Sequence, residues 1–141
     1  MTDTPIPPDY GPYPRRSPFT DPWRPLFCRE RAGDFSIGTL LRREHCNSRG
    51  LVHGGFIAAL ADNAMGLSIV GVLKERGEAV SGMVTTNLSI DYTGQAKIGD
   101  WLQTESEIIR IGGTLAFARG RLVSGERTVA TCHATFRVMR S

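Results

Sequence analysis

Twenty consecutive residues, Gly54 to Leu73, contain a single charged side chain, Asp62. A helix of about that length is long enough to cross a bilayer. Asp62 and Asn63 in its middle, with Gly66 and Gly71 beyond them, instead predict a helix buried inside soluble protein. His53-Gly54-Gly55 opens the segment, and Lys74, Arg76 and Gly77 close it with the cations and glycine expected at a helix C-terminus. A helix that is apolar on all sides must be covered all round, and the remaining chain has to supply the cover.

That cover reads as sheet. Before the helix, Phe35 to Arg42 forms an apolar, β-capable run, followed by a polar loop through His45, Asn47, Ser48 and Gly50. After it, Val84, Thr86, Leu88, Ile90 and Tyr92 alternate with Thr85, Asn87, Ser89 and Asp91, predicting one apolar and one polar face. Trp101 to Ile111 and Thr114 to Val123 are two further strands joined by Gly112-Gly113. Ser124-Gly125 then turns into Thr128 to Met139, where Ala130, Cys132, Ala134, Phe136 and Val138 share a face. The order is strand, helix, then four strands. Short connections favour antiparallel pairing, so the expected class is α+β: an antiparallel sheet of about five strands wrapped around one long central helix, the hotdog arrangement.

All eight prolines lie between Pro5 and Pro25. Proline fixes φ and withholds a donor, so residues 1–26 read as an extended arm, free to wrap a neighbouring surface or to stay mobile, ahead of a domain spanning 27–141. At 141 residues the chain is one domain by length and needs no metal or disulfide staple. Its +3 charge is scattered rather than gathered in a block, which argues against nucleic acid as a partner. Cys28, Cys46 and Cys132 are odd in number and widely spaced, with no Cys-x-x-Cys pair of the metal or redox kind. With no stretch of the signal-peptide type, they predict a cytoplasmic protein, bound neither to metal nor to membrane.

Asp62 is the one ionisable group of the apolar helix, and burying a carboxylate without partners costs several kcal/mol; such a position is either hydrogen-bonded structure or a working acid/base group. Gly54 and Gly55 place unpaired N–H groups at the positive end of the helix dipole and let a substrate carbonyl approach the backbone closely, as acyl transfer requires. His53 can cap that terminus, hold the loop or touch substrate. Eight residues separate Gly54 from Asp62, about 12 Å along one helix, too far for both to act on one carbonyl. Two antiparallel copies of the helix in a two-fold dimer would bring Gly54 of one to Asp62 of the other and create two equivalent sites.

The stretch from Asn47 through His53-Gly54-Gly55 to Asp62 resembles the hotdog-fold acyl-CoA thioesterases, in the branch of the phenylacetate-pathway thioesterases. The likeness continues through Thr85 and Asp91-Tyr92 to Ala96-Lys97-Ile98-Gly99-Asp100 and covers about residues 33–139. It implies that the Gly54 N–H polarises a thioester carbonyl with help from Asn47 and His53. It further implies that Asp62 of the opposite subunit activates water or attacks directly, oriented by the Thr85 hydroxyl. Gly55 would lie against substrate, and Arg110 and Gly113 would contact the coenzyme A tail. Also implied are homodimers paired into tetramers, acyl-CoA as substrate, and no cofactor. The rival readings on the same fold are a dehydratase or hydratase, whose His-x-x-x-x-Pro-Gly and Asp-x-Asn-Pro-x-His motifs are missing, and a non-catalytic acyl-CoA-binding protein, against which Asp62 argues.

Overall fold

The structure, a computed structural model, describes residues 5–140. Its one α-helix, α1, runs from Gly54 to Glu75, capped by His53 and carrying Lys74 in its last turn. Ile57, Leu60, Ala61, Ala64, Met65, Ser68 and Ile69 recur at spacings of three and four, and all are buried. They pack on an antiparallel sheet of seven strands: β1 (Gly11–Pro12), β2 (Phe27–Arg31), β3 (Asp34–Leu40), β4 (Val80–Tyr92), β5 (Trp101–Ile111), β6 (Leu115–Ser124) and β7 (Arg127–Arg140). The spatial order is β1-β2-β3-β5-β6-β7-β4. This is the hotdog fold expected from the pattern, with two more strands than the sequence announced.

Three departures from expectation bear on the site. First, the sheet covers only one side of the helix. Ala58, Ala59, Asp62, Asn63, Leu67 and Val70 are half-buried and Gly71 is exposed, so the all-round cover demanded by composition is not supplied by a single chain. Second, the strand expected from Phe35 to Arg42 is half of a hairpin. The charged run Phe27–Arg31 pairs with Asp34–Leu40 across an Ala32-Gly33 turn in which Gly33 adopts φ 73°, a conformation that favours glycine. The chain leaves the sheet at Leu41, whose N–H turns to Asp100 O at 2.9 Å. Third, the alternation in β4 breaks. A bulge between Thr85 and Asn87 shifts the register against β7. It turns Met83 and Thr85 toward the helix before it, and Tyr92 after it. Val84, expected on the apolar face with Tyr92, is consequently 51% exposed. In β7 the alternation holds from Ala130 onward, with Ala130, Cys132, Ala134, Phe136 and Val138 all buried.

The proline-rich arm wraps its own chain over the described residues. Tyr13 and Leu26 belong to the buried core, and Tyr10 Oη meets Ser36 Oγ at 2.6 Å. Trp23 stands edge-on to Phe56 of the helix at 5.1 Å. Arg42 donates through Nη2 to Trp23 O at 3.0 Å and to Arg24 O, while the His45 ring meets Trp23 O at 2.9 Å. These bonds fasten the arm beside the start of α1.

Candidate active site

At the helix N-terminus the four leading N–H groups lack intrahelical acceptors, and the chain disposes of them unequally. His53 sits at N-cap with φ −73° and ψ 135°, and its Nδ1 accepts the Gly55 N–H at 2.8 Å. With Nδ1 accepting, the neutral ring carries its proton on Nε2. Phe56 N and Ile57 N reach His53 O at 3.0 and 3.1 Å. Among the described residues the Gly54 N–H has no acceptor. Both glycines were expected to present open donors; the Gly55 donor is taken by the cap, and a Cβ on Gly55 would lie 3.0 Å from that ring nitrogen.

Tyr92 completes this end. Its hydroxyl donates to Gly54 O at 2.8 Å, and its ring lies 3.3 Å from where a Cβ on Gly54 would stand. The tyrosine, on the apolar face that alternation predicts, fixes the first peptide of the helix through its hydroxyl, a bond that alternation alone does not reveal.

Asn47 shapes the preceding loop. Its side chain accepts from Arg49 N at 2.9 Å and Leu51 N at 3.2 Å. Two donors identify that atom as Oδ1, so Nδ2 is the group left to donate elsewhere. Asn47 therefore works as the turn residue, and among the described residues its amide N–H₂ has no acceptor.

Asp62 lies two turns along α1 in an open cleft of about 360 Å³, shared with Thr85, Leu67, Val70, Met83 and Arg15. Thr85 Oγ1 donates to Asp62 Oδ1 at 2.6 Å, a short charge-assisted bond that fixes the carboxylate and leaves Oδ2 unbonded among the described residues. The bulge is what makes this contact possible: without the extra residue, Thr85 would share the outer face with Asp91. Asn63, which also lines the cleft, makes no bond to Asp62.

Arg110 and Gly113 fall elsewhere. Arg110 lies near the end of β5 and Gly113 in the turn beyond it, a turn whose Gly112 O and Gly113 O both accept from the Arg140 guanidinium. Through the pairings of β5 with β6 and β6 with β7, that turn borders Arg137 and Val138. The partner strand β4 faces those residues with Val84 and Met83, whereas Tyr92, at its other end, meets Gly54. One chain thus brings Asp62 to Thr85 and Gly54 to His53 and Tyr92, but unites neither group with the other nor with Arg110 and Gly113. Among the described residues no cluster of three or more His, Cys, Asp or Glu is placed to hold a metal.

A helix laid on an antiparallel sheet, with an uncapped N–H at its start and a hydroxyl-anchored acid two turns on, defines a hotdog protein of the thioesterase kind. Residues 49–131 match the sequence profile of the thioesterase superfamily, and the chain belongs to that family. A Pseudomonas aeruginosa protein provisionally named an esterase is 36% identical over 132 residues, 93% of this chain and 96% of the relative. The medium/long-chain acyl-CoA thioesterase YigI of Escherichia coli is 32% identical over 101 residues, 64% of each chain. Among solved structures, a hypothetical thioesterase of Streptococcus pneumoniae crystallised with coenzyme A superposes with a TM-score of 0.72 at 24% identity, covering 82% of this chain and 87% of that one. The phenylacetic acid degradation protein PaaI of Thermus thermophilus, solved as a point mutant, gives 0.72 at 24%, covering 86% and 98%. At these identities the structural likeness shows the fold.

Proposed function

We propose that the protein hydrolyses an acyl-CoA thioester to the free acid and coenzyme A, at sites assembled between two copies of the chain. The observation that carries the reading is the Thr85-anchored carboxylate of Asp62, open to a cleft and about 12 Å along the helix from the uncapped Gly54 N–H. In the reaction the thioester carbonyl oxygen accepts from the Gly54 N–H of one copy, with the Asn47 Nδ2 and His53 Nε2 as further donors. Asp62 of the other copy takes a proton from water, whose oxygen bonds to the carbonyl carbon. The negative charge that develops on the carbonyl oxygen is held at the positive end of α1. Collapse of the tetrahedral intermediate breaks the C–S bond, and the sulfur leaves with the proton as the coenzyme A thiol. Arg110 and Gly113 border the surface on which the coenzyme A tail lies. The relative named as an acyl-CoA thioesterase and the neighbour crystallised with coenzyme A support this choice of substrate.

The half-covered face of α1 and the free edge of β4 support a homodimer, with dimers pairing into a tetramer as the next level of assembly. Three cysteines without a disulfide support residence in the reducing cytoplasm.

The reading is tested by following free-thiol release from aryl, short-chain and medium-chain acyl-CoA. Asp62→Ala and Asp62→Asn, both folded, should lose about 100-fold or more of kcat. Undiminished turnover in both variants would remove Asp62 from the reaction.

A further inference from the structure

One wall of the Asp62 cleft comes from the proline-rich arm. Arg15 lines the cleft together with Asp62 and Thr85, although it lies far outside the residues that match the family, 49–131. It is delivered from an anchored segment. Arg24 donates through Nη2 to Arg15 O at 2.7 Å and through Nη1 to Tyr13 O at 2.8 Å. Tyr13 is 5% exposed and stands edge-on to Phe35 at 6.2 Å. The backbone of Arg15 is thereby held, through the Arg24 guanidinium, beside the core residue Tyr13.

The charge of Arg15 has no counterpart among the described residues. Arg16 and Arg24 pair with Asp21 at 3.0 and 3.6 Å, and Arg29 and Arg31 pair with Asp9 at 3.6 and 3.1 Å. Arg15 forms no such pair, not even with the Asp62 carboxylate whose cleft it shares. Leu67, Val70 and Met83 contribute apolar side chains to a cleft whose lining is otherwise mainly polar. An anionic acyl group would be repelled by Asp62 in a cleft without a cation; Arg15 supplies one at the same opening.

We infer that Arg15 is a specificity-determining residue that receives a carboxylate at the far end of the acyl group, so that the preferred substrate is the coenzyme A monothioester of a dicarboxylic acid. The inference rests on the hydrolytic reading for the place of the thioester carbonyl. A guanidinium meets a carboxylate through two parallel N–H donors, and such charge-assisted bonds discriminate by about 10- to 100-fold against an analogue lacking the acceptor.

The test measures binding separately from turnover. In an Asp62→Asn background, calorimetry compares glutaryl-CoA with pentanoyl-CoA, of equal carbon number, with and without Arg15→Gln. The expected result is that the preference for the glutaryl thioester falls at least 10-fold on Arg15→Gln and is unaltered by Arg16→Gln, a change on the same arm away from the cleft. Equal weakening of both ligands would place the guanidinium on the coenzyme's phosphates and overturn the inference. No weakening of either would leave Arg15 in solvent and overturn it as well. Thiol release by the native enzyme is read on the same two compounds. A binding preference without release would sink the hydrolytic reading while the inference about Arg15 stood.

Discussion

The groups assigned to the proposed reaction can be deleted one at a time, with separable effects. Thr85→Ala deletes the 2.6 Å bond to Asp62 and should lower kcat by about 10- to 100-fold, the worth of a hydrogen bond to a charged group, whereas Thr85→Ser keeps the hydroxyl and most of the rate. Steady-state thiol release decides between them, and equal loss in both variants would mean that the threonine acts through its methyl packing. Gly54 offers a cleaner deletion. As the first helical residue it tolerates proline, and the extended His53 backbone at ψ 135° is already in the region that proline demands of its predecessor. Gly54→Pro should therefore fold, with a small shift of the Tyr92 ring that lies 3.3 Å away, and lose about 100-fold in kcat through the missing N–H. Retention of the helical circular dichroism with loss of turnover is the predicted pair of results. His53 is the cap of α1: His53→Ala removes the acceptor of the Gly55 N–H and should cost about 1 kcal/mol in a denaturant titration.

Between elements, the buried His45 ring is the joint that ties arm to helix. It is 1% exposed, stacks on Phe56 at 4.4 Å, accepts from Arg42 N at 3.0 Å on Nδ1 and meets Trp23 O on Nε2. Burial holds its pKa below the ordinary histidine value, reinforced by the nearby Arg42 charge, while the bond to Trp23 O opposes the shift. The unfolded chain therefore binds the proton first: stability from this ring is complete above about pH 6.5 and falls as the pH drops through 6.5 toward the lowered folded value. Urea titrations at pH 7.5, 6.5 and 5.5 should show this loss in the native chain and a smaller one in His45→Asn, which keeps an acceptor but does not titrate. An equal loss in both would assign the effect to other groups. The long, strongly patterned pieces were legible in the sequence: α1, β5, β6 and β7 follow from periodicity and glycine turns. What escaped depended on pairing. The β2 run Phe27–Arg31 is too charged to announce a strand, and it becomes one because β3 lies beside it. The β4 bulge is a register event between two strands, so Thr85 was legible only by likeness to the family; Tyr92 was legible as an inward residue, but not its hydroxyl bond to Gly54. Arg15 had no signal, because an arm of prolines does not say which surface it will cross.

Across the whole molecule, composition and geometry point to the same incompleteness. The helix is apolar on all sides, yet its Ala58, Ala59, Leu67 and Val70 face is only half-covered, and the thirteen-residue strand β4 ends the sheet with Val84 51% exposed. An edge of that length invites a second strand, and a two-fold copy would close both gaps while bringing each Gly54 to the other's Asp62. The measurement that tests this most directly is complementation. Asp62→Asn and Gly54→Pro chains, each inactive alone, are unfolded together, refolded as an equal mixture and assayed for thiol release. If each site takes its N–H from one chain and its acid from the other, half of the dimers are hybrids with one intact site of two, and activity should return to about a quarter of native. A mixture that stays as inactive as its components, with hybrid dimers shown to have formed, would mean that each site lies within one chain and would contradict the shared site.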